Sequence, residues 1–72
     1  MTETEAIGIA REIAEREKWT WREPVRAVRA RRWLFGRAVW KVISNADSRG
    51  CNVRVELDDI TRETYRAGFS PR

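Results

Sequence analysis

Residues 51–57, CNVRVEL, decide the fold, because apolar and polar side chains alternate along them without interruption. Successive side chains on a strand point to opposite faces, so this alternation predicts a strand with one face on an apolar core. Cys51, on the apolar side of the pattern, is expected in that core. Residues 37–44, RAVWKVIS, are rich in β-branched and aromatic residues and predict a neighbouring strand. A turn at 58–63, DDITRE, then separates residues 51–57 from a short strand at 64–69, TYRAGF.

The N-terminal residues 3–18 predict an amphipathic helix. Thr2 and Glu5 have the spacing of a capping box at its start. At 100° per residue, the apolar side chains fall within an arc of about 160°. These residues are Ala6, Ile7, Ile9, Ala10, Ile13 and Ala14.

Residues 24–35 are ambiguous between helix and strand. Pro24 is acceptable at a helix start, but Val25, Ala27, Arg29, Arg31 and Trp33 give a partial alternation. We interpret the segment as a strand, because the strands that follow need a partner. The sequence therefore predicts an α+β fold in which one N-terminal helix packs on an antiparallel meander of three to four strands. We expect a single domain over residues 1–72, with a flexible tail at 70–72.

The basic residues are concentrated in the centre of the chain. Residues 19–41 carry a net charge of +6, whereas the whole chain carries +4. Such a block is typical of a polyanion site or of a charged edge strand. Arg31 and Arg32 are adjacent and cannot share one face of a regular strand, which favours the edge strand with solvent-facing arginines. The minority hypothesis is nucleic-acid binding through Arg26, Arg29, Arg31, Arg32 and Arg37.

The sequence offers little material for catalysis. It contains no histidine and one cysteine, which excludes histidine-based triads and cysteine-cluster metal sites. Asp58 and Asp59 are interpreted as turn residues rather than as a catalytic pair. We therefore expect no enzyme activity, no cofactor and no metal.

The tryptophans favour structural positions. Trp40 is flanked by valines and is expected in the core. Trp19 and Trp21 are expected to close one end of that core, although they could instead form a platform for a partner. Trp33 could be buried or exposed.

Four stretches carry a family resemblance: EAIGIAREIAE (5–15), VWKVISN (39–45), RGCNVRVELDDITRE (49–63) and RAGFSPR (66–72). They resemble small bacterial PepSY-like domains and nuclear-transport-factor-like immunity proteins. The resemblance implies a cystatin-like fold and a non-catalytic module that binds a protein such as a protease, a propeptide or a toxin. Arg62 stands where the family has a turn glycine after the threonine.

These observations predict a cytoplasmic binding module with a protein partner, in an inhibitor-like or immunity-like role. The expected partner surface is the strand face that carries Val39, Lys41, Ile43 and Arg54, and a homodimer through this face is a further possibility. Nucleic-acid binding and a purely structural role are the alternatives. No apolar run reaches the roughly 18 residues of a membrane span.

Overall fold

The computed structural model describes residues 1–31 and 36–71. One helix precedes four strands along the chain. The elements are α1 (Glu3–Glu17), β1 (Arg26–Arg31), β2 (Ala38–Ile43), β3 (Asn52–Asp58) and β4 (Thr64–Ser70).

Helix α1 begins with the predicted capping box. The Thr2 hydroxyl accepts a hydrogen bond from the Glu5 backbone N–H, and the Glu5 carboxylate accepts one from the Thr2 N–H at 2.8 Å. The helix ends at Glu17, and its C-cap Lys18 has a left-handed backbone with φ 61° and an N–H that donates to the carbonyl oxygens of Ala14 and Glu15. The helix therefore ends one residue earlier than the expected 3–18.

The four strands form one antiparallel sheet in the order β1-β2-β3-β4, with β1 and β4 at its edges. This confirms the predicted α+β plan of an N-terminal helix on a meander. Residues 26–31 are a strand and lie at an edge, as the alternation predicted. Residues 32–35, which include Trp33, lie outside the described residues.

The main core lies between α1 and one face of the sheet, which we call the helix side. Trp19 and Trp21 pack against it at one end, as predicted, and the Trp19 ring stacks on Phe69 with centroids 6.2 Å apart. Trp40 also packs against it. The buried members of the core are Ala6, Ala10, Ile13, Ala14, Val42, Val53, Val55 and Leu57.

The prediction for Cys51 was wrong. Cys51 precedes β3, has a left-handed backbone with φ 52°, and is only half-buried. The cause is Asn52, whose fully buried amide oxygen accepts a hydrogen bond from the Gly50 N–H at 2.8 Å and so turns the chain at residues 50–51. At the other end of the chain, Ser70, the first residue of the expected tail at 70–72, belongs to β4 and pairs with Asn52.

Candidate functional site

The face of the sheet opposite α1, which we call the outer face, carries the candidate site. Strand register places its side chains in two neighbouring rows that cross the sheet. The first row is Arg26, Ile43, Arg54 and Gly68. The second row is Val28, Lys41, Glu56 and Arg66.

Side chains from these two rows line an open groove of about 450 Å³. The outer face is closed beyond the groove at both ends. At one end the buried Asn52 side chain donates to the carbonyl oxygens of Ser44 and Asn45, at 2.8 and 3.0 Å. At the other end Val39 and Asp58 are opposite each other in register and fully buried. The groove is therefore the accessible middle of the face.

The groove is basic, with four cationic side chains and one carboxylate. The two outermost cations already have anionic neighbours. An Arg26 nitrogen lies 3.5 Å from a carboxylate oxygen of Asp47, and an Arg66 nitrogen lies 3.9 Å from one of Glu56.

The two central cations of the groove, Lys41 and Arg54, are exposed. Within residues 1–31 and 36–71, neither has a carboxylate at ion-pair distance. They lie on β2 and β3, one row apart, which makes them diagonal neighbours within reach of one ligand.

Gly68 leaves a gap in the first row of the groove. A Cβ atom built on this residue would have no atom within 4 Å beyond its immediate chain neighbours. Gly68 is directly opposite Arg54, so the space beside the Arg54 side chain is open. Val28, which is 51% exposed, and Ile43 supply the apolar surface of the groove.

The predicted partner surface is only partly exposed. Lys41, Ile43 and Arg54 share the outer face and line the groove. Val39 is on the same face but is fully buried, so it is not available to a partner. It belongs to the closed end of the face, between Ala30 of β1 and the buried Asp58 of β3.

The structure divides the basic segment among different environments. Arg26 lines the groove on the outer face. Arg29 is opposite Trp40 in register, on the helix side. Its side chain is exposed, and its guanidinium also lies 2.8 Å from the Asp59 carboxylate. Arg31, two residues along the strand, shares the side of Arg29 and lines a separate open depression with it.

The remaining two arginines of the segment are Arg37 and Arg32, and Arg37 does not line the groove. An Arg37 nitrogen lies 3.7 Å from the buried carboxylate of Asp58. Arg32 lies outside the described residues. The five candidate nucleic-acid contacts are therefore not brought together as one surface by the described part of the chain.

The turn predicted after β3 is present at residues 59–61, and Asp58 organises it. The Asp58 carboxylate accepts hydrogen bonds from the backbone N–H groups of Thr61 and Ile60 at 2.9 and 2.8 Å, and from the Tyr65 hydroxyl at 2.7 Å. These hydrogen bonds hold the pKa of Asp58 well below its usual range. The bond from the Thr61 N–H has the largest effect, and those from the Tyr65 hydroxyl and the Ile60 N–H have smaller ones. These donors favour the ionised form of the side chain.

Asp59 is also buried, and its side chain accepts hydrogen bonds from residues on both β1 and β2. Its carboxylate accepts a 2.7 Å hydrogen bond from the indole N–H of Trp40 and a 2.8 Å bond from Arg29. The Trp40 hydrogen bond lowers the pKa of Asp59, with a smaller contribution from Arg29. Both aspartates therefore have structural partners, and their side chains turn towards different residues.

Sequence reasoning missed two members of the groove. Val28 and Arg66 can be assigned to it only through the pairing of residues on adjacent strands. The period-2 alternation assigns each residue to a face. It does not give the register that places Gly68 beside Arg54.

Comparisons of the chain with protein families, with curated proteins and with solved structures give no match. Within residues 1–31 and 36–71, no group of three or more acidic or cysteine side chains is placed to hold a metal ion. In the same part of the chain, no helix has the length and apolar character needed to cross a membrane.

Proposed function

We propose that this protein is a non-catalytic binding module that recognises a protein partner through the groove on the outer face of its sheet. The observation that carries the proposal is the composition of the groove. It combines aliphatic surface at Val28 and Ile43 with two central cations, Lys41 and Arg54, that have no carboxylate at ion-pair distance in the described chain. A partly apolar patch bordered by charged residues is typical of a protein interaction surface.

A protein fits this groove better than a nucleic acid. Proteins that bind single strands stack the bases on aromatic rings. The tryptophans of the described chain, Trp19, Trp21 and Trp40, pack against the core on the helix side instead.

The buried aspartates support a role without catalysis. A general acid or base works best with a pKa near the working pH. The hydrogen bonds from Thr61 and Tyr65 move the pKa of Asp58 in the opposite direction, away from neutrality. We expect Asp58→Asn and Asp59→Asn to leave partner binding unchanged wherever the variant remains folded.

The proposal extends to the setting of the protein. The PepSY-like and immunity-like resemblance supports an inhibitor or immunity role in a bacterial cell, and the single cysteine supports a reducing, cytoplasmic location. In this role the partner is a protease, a propeptide or a toxin.

Affinity purification from the native host tests the proposal with a matched pair of variants. Gly68→Val fills the gap in the groove with a residue that strands favour, so the fold should be retained. Gly8→Val makes the same substitution on the exposed side of α1, where a Cβ also meets no neighbouring atom. We expect a protein that the wild type and Gly8→Val retain and that Gly68→Val loses.

Two results would contradict the proposal. One is a partner retained equally by Gly68→Val, which would place the binding surface elsewhere. The other is specific recovery of nucleic acid, with submicromolar binding near physiological salt. We expect nucleic-acid binding weaker than about 10 μM under those conditions, and steeply dependent on salt.

A further inference from the structure

We infer that the groove takes an acidic segment of the partner protein, with carboxylate side chains next to Lys41 and Arg54 and an aliphatic side chain over Ile43. This inference rests on the proposed function and adds the chemistry of the partner. It follows from the charge, the apolar surface and the shape of the groove.

The charge calls for carboxylates at the centre of the groove. Arg26 and Arg66 lie within 4 Å of Asp47 and Glu56, respectively, whereas Lys41 and Arg54 have no such neighbour in residues 1–31 and 36–71. Diagonal neighbours on adjacent strands are about 7–8 Å apart at their backbones, close enough for their long side chains to reach the same ligand. Carboxylates two residues apart on an extended segment, about 6.6 Å, match this separation.

The apolar part of the groove calls for an aliphatic side chain beside those carboxylates. On an extended segment this residue lies two positions before or after a carboxylate, because the residue between the two carboxylates faces away from the groove. Ile43 lines the groove directly opposite Arg54 and offers the aliphatic contact. On the other side of Arg54, a Cβ at Gly68 would meet no atom within 4 Å, so the space there is open and a valine at this position would occupy it. An acidic segment that also carries aliphatic residues therefore satisfies both kinds of surface.

A second copy of the chain is a poorer occupant. A two-fold interface brings the same patch of both subunits together. Here it would bring the four cations of one groove close to the same four of the other, with only one carboxylate, Glu56, from each copy. Like charges at an interface oppose association, so we expect the protein to sediment as a monomer at tens of micromolar.

Selection of random peptides displayed on phage tests the chemistry directly, with the full chain as the immobilised target. Peptides of roughly 12 residues suffice, because they are long enough to cross four strands spaced about 4.8 Å apart. We expect the selected sequences to be enriched in aspartate, glutamate and aliphatic residues. The strongest peptide is then synthesised, and its affinity is measured by fluorescence anisotropy at about 50 mM and about 200 mM salt.

Charge-reversal variants provide the specific readout. Lys41→Glu and Arg54→Glu should each weaken binding of the selected peptide by about tenfold or more, because a carboxylate replaces a cation beside the ligand. Arg16→Glu makes the same change in net charge on the exposed side of α1 and should change the affinity by less than about twofold. Thermal unfolding of all three variants establishes that each is folded.

The outcomes separate this inference from the proposed function. Neutral or basic peptides that Gly68→Val no longer binds would overturn the acidic partner and leave the groove as the binding site. A complete absence of selected peptides, or peptides that Gly68→Val still binds, would overturn both. Submicromolar binding of a single-stranded DNA oligonucleotide, lost in Arg54→Glu, or a dimer lost in Gly68→Val, would replace the acidic segment with another occupant.

Discussion

The two faces of the sheet are built from alternate residues of the same strands and have opposite surroundings. On the helix side, Val53, Val55 and Leu57 of β3 are buried under α1. On the outer face, the intervening Arg54 is exposed and Glu56 is only partly covered. The difference shows that period-2 alternation separates a stabilising face from a face that is free to bind.

The outer face itself is not uniform. Its two middle rows are open, whereas Asn52 at one end and Val39 and Asp58 at the other are fully buried. The closed ends hold the loop before β3 and the turn after it. We therefore expect substitutions at the ends to change stability and substitutions in the middle to change binding.

The largest expected effect comes from removing an aliphatic side chain on the helix side. Leu57→Ala should reduce the free energy of unfolding by about 2–5 kcal/mol, because it leaves a cavity beneath α1. Ile13→Ala, on the facing side of the helix, should cost a similar amount. Urea denaturation followed by tryptophan fluorescence measures both changes.

The matched substitution on the outer face is Val28→Ala, at a residue that is 51% exposed. It removes little buried surface and should cost less than about 1 kcal/mol. Equal losses for Leu57→Ala and Val28→Ala would show that the two faces do not differ in burial.

The second prediction concerns the closed end at Asn52. Asn52→Ala should cost about 1–3 kcal/mol, because the buried Gly50 N–H and the Ser44 carbonyl oxygen lose their side-chain partner. Amide hydrogen exchange should increase at Gly50 and its neighbours in the loop at 45–50. A variant with unchanged stability and unchanged exchange would show that the Asn52 side chain does not hold this loop.

The sequence was most informative where a local pattern determines the structure. The alternation in CNVRVEL gave β3 and its buried face, and the Thr2–Glu5 spacing gave the start of α1. Residue type misled at Asn52 and Asp58, which are polar but buried. Their burial depends on backbone donors and acceptors in nearby turns, and hydropathy does not report these partners.

The groove could be predicted only in part for a related reason. Lys41, Ile43 and Arg54 were assigned to one face by alternation, but Val39 was assigned to the same exposed surface and is buried. Alternation gives the direction of a side chain without saying what covers it. The gap at Gly68 required the register of β3 and β4 as well.

The third prediction concerns pH and the other closed end. The pKa of Asp58 is lower in the folded chain than its ordinary value of 3.8. A carboxyl with a lowered folded pKa stabilises the fold fully at pH values above its unfolded pKa, and the contribution disappears as the pH falls towards the folded pKa. We therefore expect stability to decline as the pH falls below about 4.

Asp58→Asn should flatten this acid dependence, because the amide does not titrate in this range. Thermal unfolding between about pH 2 and pH 7 measures the difference between the variant and the wild type. Glu63→Gln is the control, since Glu63 is exposed in the same turn. An acid dependence that Glu63→Gln removes and Asp58→Asn leaves intact would show that Asp58 is not the group responsible for it.

The smallest expected effect lies in the turn that closes the outer face after Asp58. Arg62 has a left-handed backbone with φ 65°, and its side chain reaches the Glu5 carboxylate at 2.8 Å. Arg62→Gly and Arg62→Ala both remove that ion pair, so their difference isolates the backbone. Glycine adopts this conformation without a steric penalty, and the glycine variant should be more stable than the alanine variant by about 1 kcal/mol.

The same pair of substitutions at Arg66, inside β4, should give the opposite order, because glycine weakens a strand interior. Chemical denaturation of the four variants measures both differences, and a shared order at the two positions would show that residue 62 does not require a left-handed turn.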